Sequence, residues 1–175
     1  SFILIFNSDH NANIAAKFVD DYFIENSILV KEHWDESLPF KSSFIIQEIP
    51  LYDSDTTTKI RNISSILSNS DGIFISSKRL IGTIPRLYER YPLTTNYYKK
   101  LLNGDLGFEL VKQQSKNLNF LGIHYYSDPF NRVKNLNFEN NNNLNFRINL
   151  GWTDESFTVY DHPEILIFKN SKNLT

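Results

Sequence analysis

The chain has 175 residues, of which 41% are hydrophobic and 22% are charged, close to the values of ordinary globular domains. It is long enough to bury a sizeable core and short enough to form one domain. The formal net charge of -2 gives no bulk attraction to nucleic acid, and the lack of cysteine excludes disulfides and thiolate metal sites. Methionine is also absent, and we therefore expect the chain to be a fragment of a longer protein.

The first half of the chain alternates short apolar runs with stretches of helical periodicity. Residues 2–6 predict a strand, although the end of a transmembrane helix is an alternative interpretation. The next three predicted strands are residues 28–31, 44–49 and 72–75. The predicted helices are residues 13–24 and 56–68, and Asp55 or Thr56 is the expected N-cap of the second. This alternation predicts an α/β fold in which helices pack on a mixed sheet with a parallel centre.

A segment rich in helix breakers follows the third of these strands. Residues 80–91 are not expected to form one continuous helix, because Gly82, Pro85 and Pro92 interrupt the pattern. A regular helix is predicted to begin at Thr94 or Thr95, with Gly104 as the glycine just past its end.

The last third of the chain has a different pattern. Residues 106–111 and 119–126 predict an antiparallel hairpin on the edge of the sheet. Residues from about 128 to 150 are rich in asparagine and have no steady period, which indicates an insertion within the single soluble domain. The apolar run at residues 165–168 predicts the final strand.

Candidate binding residues follow the first strand of the predicted parallel centre. His33, Trp34 and Asp35 lie in a loop at the end of that strand, where sites of α/β sheets occur. His33 and Asp35 are suited to orient a sugar, and Trp34 is suited to stack on its apolar face. The alternative is that Trp34 belongs to the core and that Asp35 caps a turn.

A second group of candidates is basic and follows the strand at residues 72–75. It consists of Lys78, Arg79, Arg86 and Arg90. Such residues are suited to hold a lipid phosphate or pyrophosphate. The alternative is that they pair with acidic neighbours, for which the candidates are Glu89, Asp105 and Glu109.

The third candidate pair, Asp161 and His162, precedes the final strand. If that strand is antiparallel to the central ones, its start lies on the same edge of the sheet as the other two groups. The three groups would then form one polar cluster, either a binding surface or a hydrogen-bonded brace. A metal site would need His33 and His162 to converge with Asp35 or Asp161, and their spacing gives no support for one. We predict no metal, and no cofactor because nucleotide-binding motifs are lacking.

Three segments carry a resemblance to a known family. They are residues 32–39 (EHWDESLP), residues 79–95 (RLIGTIPRLYERYPLTT) and residues 154–163 (DESFTVYDHP). Together they resemble the C-terminal, non-membrane region of large polytopic membrane proteins related to lipid-phosphate-sugar-dependent, protein mannosyltransferase-like (GT-C type) glycosyltransferases. The resemblance extends over about residues 11–169. It departs from the family pattern at Lys78 (usually Asn), at Tyr88 (usually Pro) and in the asparagine-rich insertion.

This resemblance implies a domain on the extracytoplasmic face of a membrane, tethered through transmembrane segments of the same protein. The family's catalytic carboxylate lies in a loop among those segments, so no catalytic residue is expected here. The expected role is to assist the binding of a lipid-phosphate sugar or a glycan acceptor. Two glycosylation sequons, at Asn62 and Asn173, fit this exposure. The alternative is a structural or protein-interaction module on the cell exterior with no role in sugar transfer.

Overall fold

A computed structural model describes residues 11–114, 118–120, 123–126, 147–149 and 164–171. The helices in these residues are α1 (Asn11–Tyr22), α2 (Thr57–Ser68), α3 (Arg79–Thr83) and α4 (Pro92–Leu102), with a 3-10 helix over Ile84–Leu87 between the last two. The strands are β1 (Ile28–Glu32), β2 (Ile45–Ile49), β3 (Gly72–Ile75), β4 (Phe108–Gln114), β5 (Leu118–Phe120), β6 (Ile123–Tyr126), β7 (Arg147–Asn149) and β8 (Ile165–Asn170).

The main sheet has five strands in the order β2-β1-β3-β8-β4. Strand β1 lies at the parallel centre, since it pairs in parallel with both β2 and β3. Strand β8 runs antiparallel to both β3 and β4. The predicted α/β fold and its mixed sheet with a parallel centre are therefore confirmed, and the start of β8 lies on the same edge of the sheet as the carboxyl end of β3.

Helices cover both faces of this sheet. Side chains along the central strands point alternately to the two faces and pack there into two apolar clusters. In β1, Leu29 packs on the α1 side, whereas Val30 packs on the side of α2 and α4. The buried residues of the α1 cluster are Ala15, Ala16, Val19, Phe23, Leu29, Leu38, Phe74, Ile165 and Ile167. The larger cluster on the opposite face includes Tyr91, Tyr97 and Tyr98. These three tyrosines are buried in the core.

Gly72 occupies a position where the sheet has no room for a side chain. A Cβ atom there would lie 2.7 Å from Phe23 Cζ and 2.9 Å from the carbonyl oxygen of Phe168. Phe168 is held in the antiparallel pairing of β3 with β8. Since its carbonyl is a backbone atom, a larger residue at Gly72 must shift a strand of the sheet.

The helix ends agree in part with the sequence prediction. Thr56 is the N-cap of α2, and its hydroxyl accepts a hydrogen bond from Lys59 N at 3.1 Å. Gly104 follows α4 with a φ of 79°, as a glycine just past a helix should. The predicted start of α4 was wrong, because this helix begins at Pro92 and not at Thr94 or Thr95. Proline is favoured at the first helical position, where its missing N–H is not needed.

The antiparallel edge of the sheet is β4, and its partner is β8 rather than the segment at residues 119–126. That segment contributes to β5 and β6, which pair with each other in a separate three-stranded sheet. The pairing of β4 with β8 contains a bulge, since Leu110 pairs with Phe168 and Lys112 with Ile167. Val111 is the extra residue.

Other predictions fall on the remaining part of the sequence. Strand β7 lies within the asparagine-rich insertion and pairs in parallel with β6. The rest of the insertion, residues 2–6, Asp161, His162 and Asn173 lie outside the described residues. Among the helices that the structure describes, none has the length and apolar character needed to cross a bilayer.

Candidate functional site

The candidate site lies at the carboxyl ends of β1 and β3, which are neighbours in the sheet. The chain leaves these two strands in opposite directions. The loop after β1 leads to β2 at one edge of the sheet, whereas the segment after β3 leads through α3 and α4 to β4 at the other edge. In α/β sheets such a divergence leaves a crevice where ligands bind.

In this protein a carboxylate from the loop after β1 forms hydrogen bonds with the segment that follows β3. Asp35 is 4% exposed, and its Oδ2 accepts hydrogen bonds from Ser76 N at 2.8 Å and Ser77 N at 3.2 Å. Its Oδ1 accepts a hydrogen bond from Ser77 Oγ at 2.6 Å. We call this group, Asp35 with Ser76 and Ser77, the Asp35 brace. Burial raises the pKa of Asp35, and the hydrogen bonds from Ser77 and Ser76 counteract part of that effect.

The Asp35 brace favours the alternative interpretation of Asp35 as a structural residue. Its carboxylate accepts two successive backbone N–H groups, an arrangement that other proteins use for anionic ligands. Lys31 Nζ adds a hydrogen bond of 2.6 Å to the carbonyl oxygen of Asp35. The brace therefore fixes the loop that carries His33 and Trp34 against the start of α3.

Glu32, the last residue of β1, carries a second buried carboxyl group and directly precedes this loop. Glu32 is 0% exposed, and its Oε1 accepts a hydrogen bond from the Tyr98 hydroxyl at 2.8 Å. Its Oε2 has no hydrogen-bond partner among the described residues. Burial, with a further contribution from the charge of Asp35, raises the pKa of Glu32 well above its ordinary value. The protonated form of Glu32 is thus favoured in the folded protein.

A row of four aromatic side chains, of which all but Tyr91 are exposed, forms a further part of the site. The ring centroids of Trp34 and Tyr52 are 4.8 Å apart, and those of Tyr52 and Tyr91 are 5.6 Å apart. His33 extends the row, with its ring 6.5 Å from that of Trp34. We call His33, Trp34, Tyr52 and Tyr91 the aromatic row. Trp34 is 48% exposed and Tyr52 is 36% exposed, so the interpretation of Trp34 as a core residue was wrong.

The aromatic row is anchored at one end and polar at the other. Tyr91 is 0% exposed, and its hydroxyl donates a hydrogen bond of 3.2 Å to the carbonyl oxygen of Tyr52. At the other end, His33 Nδ1 lies 2.8 Å from Glu48 Oε2, and Lys31 Nζ lies 2.8 Å from Glu48 Oε1. The hydrogen bond from Lys31, followed by that from His33, lowers the pKa of Glu48. Exposed rings next to exposed polar groups offer a ligand both apolar area and hydrogen-bonding groups.

Two of the predicted basic residues flank the aromatic row. Arg79 Nη1 lies 3.5 Å from the carbonyl oxygen of Trp34. The guanidinium carbon of Arg90 lies 5.2 Å from the centroid of the Tyr91 ring. His33, Trp34, Asp35 and Arg79 therefore lie at one end of the aromatic row, and Arg90 contacts its other end at Tyr91. Asp35 is buried, whereas the other four border solvent.

The other predicted site residues are placed differently. Lys78 Nζ forms an ion pair of 2.7 Å with Glu164 Oε2, an acidic residue that the sequence analysis did not name as a partner. Because Glu164 immediately precedes β8, this pair brings the start of the last strand to the same edge. Arg86 is exposed on the 3-10 helix. Asp161 and His162 precede Glu164 in sequence and are outside the described residues.

A buried ion pair next to the site was not predicted from the sequence. Lys59 Nζ lies 3.0 Å from Asp55 Oδ1 and 2.6 Å from Thr94 Oγ1. Asp55 Oδ2 accepts hydrogen bonds from the N–H groups of Leu93 at 2.6 Å and Thr94 at 3.1 Å, and thereby caps α4. Burial acts to raise the pKa of Asp55, but the hydrogen bonds from Thr94 and Lys59 outweigh it and lower that pKa. This network fixes the loop that carries Tyr52 to the start of α4.

The structure also bears on glycosylation and metal binding. Asn62 is exposed in the middle of α2, with Ile63 of the same sequon buried in the core. In the described parts of the chain, no group of three or more His, Asp or Glu side chains is arranged to hold a metal ion. The metal hypothesis also required His162 or Asp161, which the structure does not describe.

Comparisons of the chain with protein-family models, with curated proteins and with solved structures found no match.

Proposed function

We propose that this chain is a non-catalytic, carbohydrate-binding accessory domain of a membrane glycosyltransferase-like protein, facing the extracytoplasmic side. Its role is to hold a glycan acceptor or the sugar of a lipid-phosphate donor for the transmembrane part of the same protein. The observation that carries the proposal is the exposed pair Trp34 and Tyr52, whose ring centroids lie 4.8 Å apart just past the carboxyl ends of the parallel strands β1 and β2. The resemblance of three sequence segments to such proteins supports the cellular context.

The chemistry of the aromatic row fits a sugar ring. The faces of Trp34 and Tyr52 offer apolar area to the C–H groups of a pyranose, and His33, Glu48 and Arg79 supply hydrogen-bonding groups beside it. The competing role is that of a scaffold that binds no sugar. The Asp35 brace favours it for Asp35, but it does not explain why Trp34 remains 48% exposed.

Titration with uncharged oligosaccharides tests the proposal. The chain has two tryptophans, so a Trp152→Phe background reports on Trp34 alone by fluorescence. Addition of manno-oligosaccharides or gluco-oligosaccharides should change this signal saturably for one of the two classes. Trp34→Ala, followed by NMR shifts, should weaken binding about fivefold, since an aromatic contact contributes roughly 1 kcal/mol. Trp34→Phe should retain part of the affinity.

Tyr22→Ala is the matched control, because Tyr22 is 42% exposed on α1, which covers a face of the sheet away from the aromatic row. It should leave sugar binding unchanged. The proposal fails if no oligosaccharide perturbs Trp34, or if Trp34→Ala and Tyr22→Ala have equal effects. The non-catalytic part has its own test: the 175-residue chain, given polyprenyl-phosphate mannose and an acceptor peptide, should transfer no sugar.

A further inference from the structure

A second surface, next to the aromatic row, presents apolar side chains to solvent. Seven of the eight residues from 86 to 93 are exposed, and only Tyr91 is buried. Leu87 is 40% exposed, Tyr88 is 56% exposed and Leu93 is 44% exposed. Apolar side chains that cluster on one exposed turn are typical of an interaction site, whereas single ones are not.

The same segment is basic in a chain that is acidic overall. Residues 78–100 contain six of the chain's 18 basic residues and only one of its 20 acidic residues, Glu89. Arg86 and Arg90 are exposed on the turn itself. Lys99 Nζ lies 5.9 Å from the centroid of the Tyr88 ring. Positive charge is thus interleaved with the exposed apolar side chains, which indicates an anionic partner with an apolar interior.

The backbone of this turn is fixed by hydrogen bonds. Tyr91 N donates a hydrogen bond of 2.9 Å to the carbonyl oxygen of Leu87, and the Tyr91 hydroxyl is bound to Tyr52. The carboxylate of Asp55 accepts the N–H of Leu93 at 2.6 Å. The exposed side chains therefore project from a fixed backbone, so little conformational entropy is lost when they bind.

We propose that Arg86, Leu87, Tyr88, Arg90 and Leu93, here called the basic apolar surface, dock on the surface of an anionic lipid bilayer. The guanidinium groups of Arg86 and Arg90 would pair with lipid phosphates, and Leu87 and Leu93 would enter the acyl boundary. Tyr88, with an apolar ring and a polar hydroxyl, suits the headgroup level. The inference does not depend on sugar binding, because it uses different residues from Trp34 and Tyr52.

Vesicle sedimentation with the 175-residue chain tests this inference. The chain should bind vesicles of phosphatidylcholine mixed with phosphatidylglycerol, bind vesicles of phosphatidylcholine alone far more weakly, and release from the anionic vesicles as salt is added. Arg86→Glu with Arg90→Glu should reduce the partition coefficient at least about 30-fold. Leu87→Ser with Leu93→Ser should reduce it about tenfold or more, because the lost apolar burial is substantial.

Two control variants separate a local surface from general charge and hydrophobicity. Lys17→Glu with Lys41→Glu makes the same change in net charge at exposed positions elsewhere. Ile24→Ser removes an isoleucine that is 83% exposed two residues past the end of α1. Both should leave the partition coefficient within about twofold. The inference is overturned if the chain ignores anionic vesicles, or if the controls reduce binding as much as the surface variants. It is also overturned if analytical ultracentrifugation shows a dimer that the leucine variants dissociate, since the occupant is then a second copy.

Discussion

Removing the carboxylate of Asp35 distinguishes a brace from a binding group. The Asp35→Ala variant leaves three buried donors without their acceptor, namely Ser76 N, Ser77 N and Ser77 Oγ. Each unsatisfied buried donor costs about 1–3 kcal/mol. The variant also removes the cost of burying a charge, the same cost that raises the pKa of Asp35. We therefore expect a net loss of about 3 kcal/mol, which leaves a domain of ordinary stability folded.

The Asp35→Asn variant separates loss of the charge from loss of the hydrogen bonds. An amide oxygen in place of Oδ2 still accepts the N–H groups of Ser76 and Ser77, and its NH₂ can donate to Ser77 Oγ. We expect Asp35→Asn to lose less than about 1 kcal/mol. Glu36→Ala, which truncates an exposed side chain in the same loop, should be neutral.

Urea unfolding followed by circular dichroism measures these differences, with oligosaccharide titration in parallel. A structural role for Asp35 is refuted if the free energy of unfolding of Asp35→Ala lies within about 1 kcal/mol of that of the parent chain and the variant no longer binds sugar. In that case the carboxylate acts on the ligand, and the hydrogen bonds to Ser76 and Ser77 are incidental to stability.

Three further variants test other buried contacts, each by urea unfolding. Glu32→Gln keeps an acceptor for the Tyr98 hydroxyl but cannot ionise. Because the pKa of Glu32 is raised in the folded state, the parent chain should lose stability as the pH rises above the unfolded pKa of about 4.3. The free energy of unfolding of the variant, relative to that of the parent chain, should therefore increase from pH 4 to pH 7. A gap that does not change with pH would contradict this. Gly72→Ala should cost about 1–3 kcal/mol, because the new Cβ meets the Phe168 carbonyl; an unchanged midpoint would contradict the packing. Lys59→Met should cost about 3–5 kcal/mol, because Asp55 stays buried without its cation, and a neutral result would show that solvent reaches that carboxylate.

The fold could be predicted from the sequence because its signals are local. Leu29 and Val30 show why, since adjacent apolar residues in a short run indicate a strand buried on both faces, and both faces are covered here. The start of α4 was missed although a local signal was present, because Pro92 suits the first turn better than Thr94 suits the cap.

The site was only partly predictable because its contacts are distant in sequence. The position of Asp35 after a strand was a valid signal for a site. Its hydrogen-bond partners, however, lie 41 and 42 residues away, and no neighbouring residue in the sequence indicates that they bind the carboxylate. Tyr52 was missed as the neighbour of Trp34, although it also follows a strand of the parallel centre. Asp55 was one of the two residues expected to cap α2, yet it caps α4 across 38 residues.

The bulge in β4 has a consequence for how copies of this protein behave at high concentration. In the described part of the main sheet, β4 is an outer strand, so one side of its backbone is open to a strand from another molecule. Because Val111 is inserted between Leu110 and Lys112, the residues on its two sides follow different registers. An incoming strand could match one half of β4 but not both. The extra residue thus interrupts the template that β4 would offer if one sheet extended into the next.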